Sequence, residues 1–219
     1  MFRKSFDVMA AIFLTLSVAG CTAYSDISAD KSVLPYVEMF ATGRSAHIAD
    51  AGISKQTEQE IYDDIHQKLM ERFSSYPLNK QTLEKVVDDY LKYLQEVTKV
   101  TTTLKKDDSK EPIVEVKATV IDESGFDDLS QYENLDGFSE LLARVQTAKD
   151  SGVTLEQLKA DEEFQKFAAN CIDKMLRSMP VNERTLEVIC TRLQGEDAKM
   201  YWGPADIETL VKFSQGQKI

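Results

Sequence analysis

The chain is short of the residues that carry most recognisable chemistry. Its 219 residues include 3 cysteines, 2 histidines and 1 tryptophan, with 9 glycines and 5 prolines. His47 and His66 are too few for a histidine-based metal centre, and no histidine stands near Cys171 or Cys190 to turn them into one, so no cofactor is expected. So few glycines leave no phosphate-cradling pattern anywhere. Positive charge is also scarce: 26 Lys and Arg face 37 Asp and Glu, a formal net charge of −11. That balance repels nucleic acid and anionic headgroups, so no nucleic-acid partner is expected. Long apolar runs are missing too. The run from Val8 to Gly20 has thirteen residues, well below the ~20 that span a bilayer.

That short run gives the chain its address. Arg3 and Lys4 precede it and small residues end it, which is the order of a secretory signal peptide. Val18, Ala19, Gly20 and Cys21 resemble the bacterial lipobox, in which cleavage after the residue at Gly20 leaves a lipidated cysteine first. Asp7 departs mildly from the usual flank. Two acyl chains are the minimum for stable anchoring, and a diacylglyceryl-modified, palmitate-carrying Cys21 meets it. The alternative is an ordinary signal peptide with Cys21 an incidental thiol. The expected organisation is a signal peptide at 1–20, a lipidated N-terminus and polar tether at 21–31, and one α+β domain at 32–219. The expected location is the extracytoplasmic face of the cell membrane, or the outer membrane where the host has one, since Thr22 in place of aspartate permits onward sorting. Residues 1–20 carry Arg3, Lys4 and Asp7, a net +1, so the mature chain stands at −12.

With 42% hydrophobic and 9% aromatic residues, the remainder suits a globular domain rather than a stalk. Cys171 falls in a helical pattern and Cys190 in a strand pattern. In an oxidising compartment they could pair, and they could equally be two small buried residues.

Periodicity sets the elements. Val33, Val37 and Phe40 stand at helical spacing, with Pro35 early. Ile61, Ile65, Leu69 and Phe73 follow a Thr57/Glu60 capping box. Leu83 to Val97 makes the broadest stripe, capped by Asn79. Val100 to Lys105 and Ile113 to Ile121 then read as a hairpin about "KDDSKEP", with Val114, Val116, Ala118 and Val120 on one face. The theme repeats. Leu135 to Val145 suggests a helix, and Thr154 with Gln157 begins a second long stripe that ends at Leu176. Thr185 to Leu193 and Ala198 to Trp202 form a late hairpin about "QGED", stopped by Gly203 and Pro204, and Ile207 to Val211 suggests a terminal helix. The expected fold is an antiparallel sheet of about four strands covered by helices, or else two tandem units of helices and a hairpin.

The lipobox, the paired helices over Val33 to Val97 and the hairpins "KVTTTLKKDDSKEPIVEVKATVID" and "RTLEVICTRLQGEDAKMYW" together resemble bacterial lipoproteins whose domain of unknown function has an NTF2-like or cystatin-like shape. The likeness covers roughly residues 32–216 and is one of order and texture. In such relatives the last hairpin often runs turn, Lys, Trp, whereas Ala198 to Tyr201 stand before Trp202 here. The resemblance implies a fold and a location and brings no catalytic residues.

Catalytic constellations fail one by one. Ser28 and Lys31 satisfy S-x-x-K but sit in the expected tether, without the partner motifs. "GRSAH", Gly43 to His47, lacks the second glycine of a nucleophile elbow. Asp107, Ser109 and Glu111 alternate like calcium ligands, but Pro112 and Ala118 occupy the positions of the turn glycine and closing glutamate. The acidic groups Asp88/Asp89, Asp127/Asp128 and Asp161/Glu162/Glu163 read as solvated faces. A ligand pocket between sheet and helices would draw on Tyr90, Tyr93, Tyr201 and Trp202, aromatic bodies with polar tips that suit a plain core even better. The sequence therefore points to a non-enzymatic binding or interaction module, its partners the membrane through Cys21 and an envelope protein or small molecule. An enzyme with a scattered site and a subunit of an envelope assembly are the rivals.

Overall fold

The computed structural model describes residues 23–122, 129–217 and 219. Helix α1 (Ala29–Thr42) buries Val33, Tyr36, Val37 and Phe40 and carries Pro35 inside it. It ends at Gly43, whose φ of 76° lets its amide donate back to Met39 O at 2.7 Å, a left-handed stop that glycine adopts without strain. A short 3-10 turn at Ile48–Ala51 leads to α2 (Lys55–Phe73). The cap of α2 is Ser54, which accepts from the Thr57 amide, so the expected Thr57 box lies one turn too late. Asn79 caps α3 (Lys80–Val97) as expected.

Strands β1 (Lys99–Lys106) and β2 (Ile113–Ile121) form the first hairpin. Its turn is organised by Asp108, which accepts from the Lys110 and Glu111 amides. These bonds, with the Lys106 ammonium, hold the Asp108 carboxyl at about 2. After a 3-10 turn at Leu129–Tyr132 come α4 (Phe138–Asp150), α5 (Leu155–Ala160) and α6 (Glu162–Arg177). The single long stripe expected here is two helices. Asp161 is extended at ψ 107° and turns its carboxylate onto the Phe164 amide, ending α5 and starting α6. Strands β3 (Val181–Gln194) and β4 (Met200–Pro204) and helix α7 (Ile207–Ser214) close the described chain.

The fold is α+β, with one four-stranded antiparallel sheet in the order β1-β2-β3-β4. The two hairpins are joined by a nine-residue register between β2 and β3, from Ile113 opposite Ile189 to Ile121 opposite Val181, which rules out two tandem units. Strand β4 continues through Gly203 and Pro204 rather than stopping there, pairing Pro204 with Cys190. Proline fits because Ala205 is the residue that donates to Ile189 O. The Pro204 nitrogen therefore faces away from β3, where no donor is needed.

Two apolar clusters result. The first lies against the sheet and joins α1, Val114, Val116, Ala118, Val120, Val188, Cys190 and Trp202 with Leu210, Val211 and Phe213 of α7. The second is helical and joins Phe73, Val87, Tyr90 and Leu91 with Phe138, Leu141, Ala168, Cys171, Ile172 and Leu176. Cys171 and Cys190 are free and sit in different clusters, so the sequence alternative of a disulfide between them is not realised. On the other face of β1 to β3, Thr101, Thr103, Lys117, Thr185, Glu187 and Ile189 stay exposed.

Candidate functional site

Gly20 and Cys21 lie outside the described residues, as do Asp127 and Asp128. The stretch just after Cys21 is not a free tether. The Ala23 carbonyl accepts from Met200 N and the Ser25 amide donates to Met200 O, both at 2.9 Å. Tyr24 thereby forms a parallel bridge to Met200 on the edge of β4. Helix α1 then begins at Ala29, three residues before the expected start of the domain, and Ala29 is buried. The physical reason is the open edge of β4, whose unpaired groups at Met200 this segment satisfies.

The four aromatic residues expected around a pocket are not brought together. Tyr90 is buried in the helical cluster, its ring centroid 6.2 Å from that of Phe73. Tyr93 is half-buried and its hydroxyl donates to Arg177 O at 3.3 Å. Tyr201 and Trp202 stand on β4. The Tyr201 ring covers Gly52 and Gly195, and its hydroxyl donates to Asp197 Oδ2 at 2.9 Å. Burial and that bond push the Tyr201 hydroxyl above its ordinary pKa. Trp202 belongs to the sheet cluster. Tyr90 and Trp202 thus lie in different cores, Tyr93 packs on the edge of the helical one, and Tyr201 is buried outside both.

The polar arrangement that sequence reasoning passed over is built by "GRSAH". Ser45 Oγ donates to Glu38 Oε2 at 2.5 Å, and its amide donates to Glu58 Oε1 at 2.9 Å. The Glu58 side chain is 5% exposed and also takes Lys55 Nζ at 3.0 Å, with Arg44 at 4.0 Å. Burial alone would raise the Glu58 carboxyl; the Ser45 amide, Lys55 and Arg44 together outweigh it and hold the pKa below the usual range. Arg44 also donates to Gln59 and lies 3.9 Å over the Tyr62 ring. Each of these groups is satisfied within the chain, so the cluster fastens the α1–α2 connection. Beside it, Glu38, Thr42, Arg44, Ser45, Gln95 and Thr98 line an open depression of about 220 Å³. A second, of about 440 Å³, lies along α4 at Glu140, Arg144, Thr147 and Val153. Neither includes an aromatic side chain. His47 and His66 sit apart, each near one carboxylate: Asp50 at 3.8 Å and Asp88 at 3.3 Å. Among the described residues no three His, Cys, Asp or Glu side chains are placed to share a metal ion.

One further constellation sits where the chain enters the domain. The Arg192 guanidinium lies 3.6 Å over the Trp202 ring and 5.1 Å from the Tyr24 ring, and donates to Met200 O at 3.3 Å. Tyr24 is 64% exposed, the largest exposure among the bulky apolar side chains described. Neither Tyr24 nor Arg192 stood out in the sequence, because a single bridge leaves no periodic trace.

No family model and no curated protein matches the chain. Among solved structures, the chain is similar to the crystal structure of a candidate lipoprotein, YcdA, of Bacillus subtilis subsp. subtilis str. 168. The TM-score is 0.49 and the identity 16%, over 86% of this chain and 56% of that one. This chain thus spans little more than half the length of that protein, and a score below 0.5 assigns neither a fold family nor a function. The NTF2-like or cystatin-like family that the sequence resembles receives no match. Among the described residues no helix is long and apolar enough to cross a membrane.

Proposed function

We propose that the protein is a lipoprotein held on the extracytoplasmic face of the membrane by lipidated Cys21, where residues 23–219 act as a non-catalytic interaction module. The observation that carries this is the stretch Val18-Ala19-Gly20-Cys21 closing a thirteen-residue apolar run behind Arg3 and Lys4. Retention needs such a device, because an acidic domain released from its signal peptide would diffuse away. An envelope protein is favoured over a small molecule as partner. Of the expected aromatic residues Tyr90 and Trp202 lie in the two cores and Tyr201 is buried over Gly52 and Gly195, whereas the outer face of β1 to β3 offers a broad polar surface in which Ile189 is 54% exposed.

Replacing Cys21 with Ser and fractionating cells tests the anchor. The expected result is a shift from a membrane fraction that needs detergent to a freely soluble extracytoplasmic fraction. Firm membrane retention of the variant without detergent would overturn the reading.

A further inference from the structure

The point where the chain joins the domain fixes more than an address. Only Thr22 separates Cys21, the proposed lipid attachment, from Ala23, the first described residue bonded to β4. An extended chain covers at most ~3.6 Å per residue, so Ala23 lies within about 7 Å of the Cys21 Cα. That distance is about the depth of one headgroup layer, given a ~30 Å hydrocarbon core within a ~40–45 Å bilayer. The bonded segment is an edge of the sheet, so the sheet itself is brought to the surface.

We propose that the end of the domain bearing Tyr24, Arg192 and Met200 rests against the phospholipid headgroup layer, and that β3 leads away from the membrane. The inference rests on the lipid anchor at Cys21. The chemistry of that end fits the layer. An exposed tyrosine suits the boundary between apolar and wet surroundings, and Tyr24 shares Arg192 with the Trp202 ring. A guanidinium held by aromatic faces is a planar donor suited to lipid phosphate. The outer face of β1 to β3 sets Lys99, Lys105 and Lys117 against Glu115, Glu183 and Glu187. It therefore carries no surplus of positive charge to draw the sheet flat onto headgroups. Eleven residue-to-residue steps along β3 lead from Val181 to Arg192. At ~3.3 Å per residue this is roughly 35 Å, which holds the helical cluster clear of the bilayer.

Trp202 is the single tryptophan of the chain and a ready reporter. The full lipidated protein is reconstituted into phosphatidylcholine vesicles containing a lipid with a nitroxide on its headgroup, and flotation confirms that it is bound. Trp202 fluorescence is expected to be quenched. Inserting a Gly/Ser linker of about 20 residues between Thr22 and Ala23, with a mean span of about 25 Å, is expected to abolish most of the quenching while the protein still floats. In a W202F background, V181W places the reporter at the far end of β3 and is expected to stay unquenched. Floating protein with Trp202 unquenched, or V181W quenched as strongly as Trp202, overturns the orientation alone. Failure to float, with no diacylglyceryl mass on Cys21, overturns the anchor and the orientation with it. The Trp202 and linker measurements stand whether or not the W202F background folds.

Discussion

The cluster against the sheet gathers residues from almost the whole chain, Ala29 to Phe213, whereas the helical cluster draws on Leu69 to Met179. The first depends on strand pairing across long sequence distances. The second is mostly helix on helix, α3 against α6 above all. They are stitched at two places. Ile65 packs against both, and the neighbours Val120 and Ile121, at the end of β2, enter one cluster each. A strand sends successive side chains to opposite sides, so its end serves two cores at once. The comparison teaches that the molecule has two cores without having two units.

The largest test removes one ring from each core. F40A and F73A take away side chains that are 1% exposed, and each is expected to cost about 3–5 kcal/mol. With stitched cores, Trp202 fluorescence and helical circular dichroism should report one coincident, lowered unfolding transition in either variant. Two separated transitions would divide the molecule at Ile65 and Ile121.

A smaller loss is expected from G52A, at the rim of the sheet cluster. Gly52 has φ 66°, and a methyl there would stand 2.5 Å from the Tyr201 ring and 2.9 Å from Gly195 Cα. The left-handed backbone alone costs a residue with a side chain about 1–2 kcal/mol. The urea midpoint should fall accordingly, and the slowest-exchanging amides of both clusters should lose protection together. Loss of protection confined to the sheet cluster would mean that the two cores open separately.

E58Q acts on the fastening beside the same cluster, at an expected cost of about 1–3 kcal/mol at pH 7. The sign follows from the lowered carboxyl. A group whose folded pKa lies below its unfolded value of ~4.3 stabilises the fold above that value, and loses the contribution as pH falls through the folded one. The gap between wild type and variant in urea titrations should therefore be full at pH 7 and close in acid. A gap that is constant with pH would assign the effect to shape rather than charge. The smallest expected effect is chemical: burial pushes the Cys190 thiol up to about 12 and raises that of Cys171, so neither should alkylate in the native protein at pH 8. Rapid labelling of Cys171 alone would show the helical cluster opening first.

Much of this was legible. The Leu83 to Leu91 stripe and the alternation of Val114, Val116, Ala118 and Val120 gave α3 and β2 with the faces they bury, because each repeats its period several times. Junctions were harder. Asp161 followed by two glutamates is a helix start, but the apolar stripe running past it hides the break. Gly203 and Pro204 read as a stop until the edge geometry of β4 gives the proline nitrogen nothing to donate to. Site residues were legible only as types. Aromatic residues at Tyr90 and Trp202 said core or pocket, and only tertiary placement separated the two. The Tyr24 bridge to Met200 has no sequence signature at all, since one pair of hydrogen bonds imposes no pattern on its neighbours.

That bridge also sets an order of events. Tyr24 stands near the start of the chain and Met200 near its end, and the pair can close only after the β3–β4 hairpin exists. A chain emerging from its N-terminus leaves residues 23–25 unattached until almost everything else has been made, and closing so long a loop comes late in folding. Residues 23–25 are therefore a slack strand while the rest of the chain is being made, and a fastened one only once β4 is in place.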